Sequence, residues 1–360
     1  MYSCRPIVGI RHITWWRFSA YVALALFTSI GGGASASQLY VTSGATNSVL
    51  RYDGNSGSFI DAFVTPGSGG LDNPRGITFG PDGNLYVSAG GSTDAVLRYD
   101  GNTGAFIDEF ATSGESNAPI NPFGIVFGAD GNLYSTDFNT NSILRFDGAT
   151  GTFLDTFASG GGLSGARGLV FGPDGNLYVS SADTDNVLRF DGTTGTFIDV
   201  FAVGVDPRGL TFGADGNLYV ADFNDGEIER FDGTTGVLID TFATGIDGPV
   251  GVEFGLDGNL YVGGFLGNNV LRFDGTSGMF IDEFVAAGSG GLDMPRLFVF
   301  ESTPSVPEPV TILLLTLGLV GLSLSRKRQH QPSPNRFRFQ LTHENDALYR
   351  MRVPTALRVA

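Results

Sequence analysis

The chain is 360 residues long, with 37 acidic and 21 basic side chains and a formal net charge of −16. It holds 54 glycines, three histidines and a single cysteine, and 42% of it is hydrophobic. That hydrophobic share supplies a core and excludes a disordered chain. One cysteine excludes a disulfide scaffold, and the acidic balance argues against nucleic acid as a partner.

The charge is unevenly placed. Residues 37–304 carry 27 Asp and 7 Glu against 10 Arg and no Lys, a net of −24. His12, His330, His343 and Cys4 all lie outside that centre, which is flanked by basic ends.

At the N-terminus Arg5, Arg11 and Arg17 precede an apolar run over 18–30, three glycines and Ala34-Ser35-Ala36. A basic region, a short apolar core and an A-x-A site predict a secretory signal peptide over 1–36. Cleavage there removes Cys4, so the exported protein has no thiol and must be held by packing alone.

From residue 37 the chain repeats itself. Leu-Tyr pairs begin at Leu39, Leu85, Leu133, Leu177, Leu218 and Leu260, 41 to 48 residues apart. Each unit carries four short β-branched and aromatic runs bounded by Gly, Asn and Asp, the length and punctuation of a propeller blade. In the unit at 168–201, the Pro173-Asp174-Gly175 turn suits a tight hairpin closed by a left-handed glycine. The first unit starts at its second strand (38–42), and the chain's last unit-like piece is a lone first strand (295–300). Paired, they complete an all-β, six-bladed β-propeller over 37–304, with four antiparallel strands per blade and no free edge. The P-R-G…F-G-P-D-G-N-L-Y-V pattern resembles NHL-type repeats and the related six-bladed lyase and gluconolactonase propellers. The resemblance implies the fold more strongly than an activity, since propellers host many functions.

With strands labelled a to d from the channel outward, the a–b and c–d turns share one face. Asp82, Asp130, Asp174, Asp215 and Asp257 each begin Asp-Gly-Asn there, so that face is nearly invariant from unit to unit. The b–c and d–a loops on the opposite face vary in length and chemistry, as a binding face on a repeated scaffold would. Six arginines recur in strand c (Arg51, Arg98, Arg145, Arg189, Arg230, Arg272), each with an aspartate in strand d, and predict a repeated ion pair.

The other four, Arg75, Arg167, Arg208 and Arg296, begin strand a beside the channel on the variable face. Phe123 and Val250 take that place in the remaining blades. Four guanidiniums around one mouth can hold an anionic ligand. They can equally cap carbonyls or pair with Asp137 and Asp222, which end strand b on the same face. Asp137, Asp183, Asp222 and Asn139 are oxygen donors of the kind calcium takes, but no spacing defines a calcium loop. No metal set, catalytic residue or other cofactor is therefore assigned.

Val306-Pro307-Glu308-Pro309 is followed by sixteen uncharged residues and then Arg326-Lys327-Arg328. At about 1.5 Å per residue, a helix of that length falls slightly short of a hydrocarbon core. The arrangement over 305–328 resembles the PEP-CTERM sorting signal of Gram-negative bacteria. It implies export, transient inner-membrane anchoring, processing by an exosortase-type enzyme and delivery to the cell surface or extracellular polymer. The signal normally ends near its basic cluster, whereas here a basic tail without hydrophobic period runs over 329–360. Apolar helices are thus expected to flank the propeller at both ends.

The reading favoured is an exported, non-catalytic ligand- or protein-binding or scaffold module. Its variable face would meet a glycan, an anionic small molecule or a protein. A ring without His, Cys or Lys lacks the commonest acid–base and nucleophilic groups. The alternative is a metal-dependent lyase or lactonase-like enzyme, for which Asp and Asn near the mouth are plentiful.

Overall fold

The computed structural model describes residues 37–114 and 120–302. The signal peptide, both expected flanking helices, the sorting segment and the basic tail lie outside the described residues. Among the described residues no helix is long and apolar enough to cross a membrane.

Six four-stranded antiparallel sheets follow one another around a ring. Blade 1 takes strand a from the far end of the chain (Pro295–Ser302) and its other strands from the beginning (Ser37–Ser43, Ser48–Asp53, Phe59–Val64). Leu39 faces Phe300 and Tyr40 faces Val299 across the seam, and the Tyr40 hydroxyl donates to Glu301 at 2.7 Å. The ring is closed by its own termini, as the repeat count predicts, and the segment from Ser37 to Ser302 contains its complete core.

Burial peaks at strand b and falls outward from there, while strand a, such as Pro74–Phe79, is part-exposed along the channel it lines. Strand b, such as Leu85–Ala89 in blade 2, has blades packed on both faces and is buried at every position. Strand c, Ala95–Tyr99, turns only Arg98 part-way outward. Strand d, Phe106–Ala111, begins exposed and ends buried, because the outer half of a radiating blade has no neighbour to lean on.

Each interface is an aromatic stack made by repeated residues. Tyr178 of strand b stands edge-on to Phe201 of its own blade at 4.8 Å and to Phe212 of the next blade at 4.9 Å. The Arg189 guanidinium lies 5.0 Å from the Phe201 ring centre and makes two hydrogen bonds to Asp199, at 3.1 and 2.6 Å. All six strand-c arginines are consumed in this way.

The repeated turn aspartates are equally structural. Asp174 accepts from the backbone N–H and side-chain amide of Asn176 and from the Tyr178 hydroxyl, while Gly175 closes the turn at φ 80°. In the c–d turn, Asp191 accepts from the N–H groups of Thr193 and Thr194. Gly195 follows at φ 71°, so close to the preceding blade that a Cβ would sit 1.7 Å from the Phe157 carbonyl oxygen. This contact recurs around the ring, with Gly57, Gly104, Gly151, Gly236 and Gly278 in the same role. The glycine is therefore required by blade-to-blade docking as well as by its backbone angle.

Candidate arginine–phenylalanine pocket at the channel mouth

Strand a lines the channel, and its second residue sits at the mouth on the variable face. There the pairing of strand a with strand b breaks register, as between Pro74 and Ile77, freeing the backbone at Arg75 and Gly76. Buried strand-b hydroxyls take over. Ser88 accepts from the Gly76 N–H and donates to the Phe123 carbonyl of the next blade at 2.6 Å. Thr136 and Ser180 donate likewise to the carbonyls of Arg167 and Arg208, both at 2.7 Å, and Thr42 donates to that of Arg75 at 3.1 Å. Each of these mouth residues is thus fixed by the blade before it.

The structure gathers Arg75, Arg167, Arg208, Arg296 and Phe123 around one opening. Phe123, only 4% exposed, has the guanidiniums of Arg167, Arg75 and Arg296 at 5.3, 5.6 and 5.8 Å from its ring centre. Arg208 is the neutralised member: Asp206 takes it in an ion pair, and Phe223 stacks on it at 4.7 Å. Arg75 donates to Asn121 and to the Pro122 carbonyl, and Arg296 donates to Asn73 at 2.8 Å. Among the described residues, no carboxylate pairs with Arg75, Arg167 or Arg296, and the Nε of each is buried without a partner.

Burial, then the neighbouring Arg208, holds the Arg167 pKa down to about 10. Burial, then Arg75 and Arg167, does the same for Arg296, and burial also lowers Arg75. All three stay cationic at neutral pH. Three mutually repelling, part-desolvated cations cost free energy, which Asp94 near Arg75, Asp183 and Asp206 near Arg167, and the Phe123 ring offset only from a distance, since among the described residues no carboxylate is in contact with any of the three.

Asp137 and Asp222, which the sequence offered as partners or ligands, do not line the mouth pocket. Asp137 is buried and accepts from the N–H groups of Asn121 and Asn139 and the Thr140 hydroxyl, so it builds its own loops. Asp222 accepts from the Asp225 N–H, and burial together with the Asp225 charge raises its pKa. Asp183 accepts from the Ser164 hydroxyl. Among the described residues, no group of three or more His, Cys, Asp or Glu side chains is arranged to hold a metal ion.

A pocket of about 160 Å³ opens beside Val250, lined by Phe123, Arg167, Arg208, Phe223, Val250, Phe265 and Arg296. Valine is the short member of the mouth ring, and the missing length is the void. Phe223 and Phe265 form its wall, their ring centres 6.1 Å apart and their planes at 62°. These walls were not read from the sequence, although a signal existed. The first residue after strand b is Phe138, Phe223 and Phe265 in blades 3, 5 and 6, but Gly44, Gly90 and Ala182 in the others. The glycines make room for arginine: a Cβ on Gly90 would lie 2.4 Å from the Arg75 guanidinium.

Deeper in the channel, a second cavity of about 270 Å³ is walled mainly by glycine and aliphatic residues of strand a. Its one carboxyl is Glu253, at a position held by Thr78, Val126, Val170, Thr211 and Val299 in the other blades. Burial pushes Glu253 up to about 7.

The comparisons agree with this architecture. The virginiamycin B lyase family model matches residues 63–287, and the PEP-CTERM protein-sorting motif matches 305–328. The latter implies export by membrane-anchored sorting, with an exosortase-type enzyme as processing partner. No curated protein matches the chain. Among solved structures, a chain of the nidogen/laminin complex superposes with a TM-score of 0.57 at 20% identity, over 73% of this chain and 98% of that one. A Bacteroides caccae protein of unknown function superposes with 0.57 at 13%, over 74% and 99%. The Staphylococcus aureus virginiamycin B lyase superposes with 0.45 at 20%, over 58% and 68%. The first two likenesses are likenesses of fold. By the family match, which spans more than half its length, the chain belongs to the virginiamycin B lyase family.

Proposed function

We propose that this is an exported, non-catalytic binding module that holds an anion at the mouth of its channel. One observation carries the reading: three half-buried guanidiniums, of Arg75, Arg167 and Arg296, each with a buried and unpartnered Nε, converge on Phe123 with no carboxylate in ion-pair contact among the described residues. A protein that needed these cations only for stability would pair them, as it pairs its six strand-c arginines. The sorting motif adds the setting. The motif over 305–328 would carry the ring by membrane-anchored sorting towards the cell surface or extracellular polymer, where anionic ligands are at hand.

The test is calorimetric titration of the Ser37–Ser302 propeller with small anions, beside Arg167→Ala and Arg296→Ala. Binding that both variants abolish is the expected result, with melting temperatures unchanged or raised, because each variant removes an unpaired buried charge. Anion binding that survives both substitutions overturns the reading.

Family membership favours a second reading, a lyase. The ring holds no histidine, cysteine or lysine, and the carboxyl that faces the channel cavity is Glu253, the base this reading would use. Incubation with virginiamycin B and mass spectrometry of the product decide it. Turnover lost on Glu253→Gln would establish catalysis and displace the binding reading.

A further inference from the structure

Resting on the anion-binding reading, we infer that the mouth pocket selects a carboxylate carried on a flat apolar ring, an aromatic carboxylate rather than a sugar acid. The argument is about which hydrogen bonds the lining can complete. The seven lining residues are three phenylalanines, one valine and three arginines. Every polar side-chain group among them is a guanidinium, which donates and cannot accept. A carboxylate is all acceptor and matches that lining.

A sugar acid brings several hydroxyls, each with a hydrogen to place. Side-chain acceptors bonded to the mouth arginines are already engaged: Asp206 by Arg208, and the side-chain oxygens of Asn73 and Asn121 by Arg296 and Arg75. Hydroxyls brought into this pocket would lose water and meet, among the lining side chains, donors only, which costs free energy for each hydrogen left without an acceptor.

Size and shape point the same way. An apolar cavity of roughly 150 Å³ accepts one benzene ring, and this pocket measures about 160 Å³. Its Phe223–Phe265 wall stands at an edge-to-face angle, and Phe223 already stacks on Arg208 at 4.7 Å. A ligand ring against that wall would continue the stack, with its carboxylate towards Arg167 and Arg296. Blade 6 contributes to the lining the short Val250 where blade 3 places Phe123, so a larger side chain there would enter the void.

The experiment titrates the Ser37–Ser302 propeller with benzoate, glucuronate and inorganic phosphate under one buffer. Benzoate is expected to bind at least tenfold more tightly than either of the others. Val250→Phe, which copies the blade 3 residue, should fill the pocket and abolish benzoate binding. Arg167→Ala should weaken it at least tenfold and supplies the test if the larger side chain is not accommodated. Arg189→Ala, outside the mouth, should leave it unchanged. Glucuronate or phosphate binding as tightly as benzoate overturns the ring selectivity while leaving the anion site standing. Failure of all three to bind overturns both.

Discussion

Glu253 offers a prediction whose size follows from its surroundings. It is the one carboxyl among the residues lining the channel cavity, it makes no hydrogen bond among the described residues, and burial pushes it from 4.5 to about 7. Because the folded ring holds this proton more tightly than the unfolded chain does, the contribution to stability is full below pH 4.5. It is lost progressively as pH rises to about 7. Each pH unit of displacement corresponds to about 1.36 kcal/mol, so the ionised side chain, half-buried against the channel cavity, destabilises the ring by up to roughly 3 kcal/mol above neutrality. Glu253→Gln keeps the shape and removes the charge. It should match the parent in urea melts at pH 4.5 and exceed it at pH 8 by about 1–3 kcal/mol, or roughly 2–12 °C in melting temperature for a ring of this size. The difference between the two proteins is the quantity to plot, since the raised pKa values of Asp94, Asp222 and Glu229 cancel in it. A difference that stays flat between pH 5 and 8, or a glutamine variant less stable at pH 8, would refute the reasoning.

The architecture makes further claims. Gly195→Ala drives a Cβ into the Phe157 carbonyl at a left-handed backbone angle, and should cost at least about 2 kcal/mol in a denaturant melt. Arg189→Ala removes an ion pair whose aspartate is 42% exposed, together with a ring contact. A loss of about 1 kcal/mol is expected by the same assay, with no effect on any ligand. Deleting residues 292–300 leaves the Leu39–Tyr40 strand without its partner, so light scattering should show aggregation and the cooperative melt should be lost. Replacing Arg326, Lys327 and Arg328 with alanine should block processing, read as an unshifted band in a pulse–chase experiment; normal maturation would contradict the sorting role.

Most of the fold was legible in the sequence because a propeller repeats its instructions. The Leu-Tyr spacing gave the blade count, the Asp-Gly-Asn turns gave the hairpins, and the incomplete first and last units gave the closure. Within one blade the contacts are local, so strand period and turn chemistry are enough to pair Arg189 with Asp199. The same locality placed Arg75, Arg167, Arg208 and Arg296 at the mouth, since a residue's position along strand a sets its depth in the channel.

The partners of those arginines were a different matter. Asp137 and Asp222 have the right charge and the right face, yet the structure spends them on their own loops and gives Asp206 to Arg208. Which arginine remains unpaired depends on side chains of different blades meeting across the channel, tens to hundreds of residues apart. The pocket is a still more collective property. It is set by one short residue, Val250, between two phenylalanines from neighbouring loops, and a void has no residue of its own to read. Glu253 shows the same limit: its environment is the whole ring of strand-a residues, each from a separate blade. The opening charge of −16 can be divided by inspection into a basic export apparatus and an acidic ring. Only the tertiary structure decides that, within that acidic ring, three positive charges are brought together with no carboxylate in contact with them among the described residues.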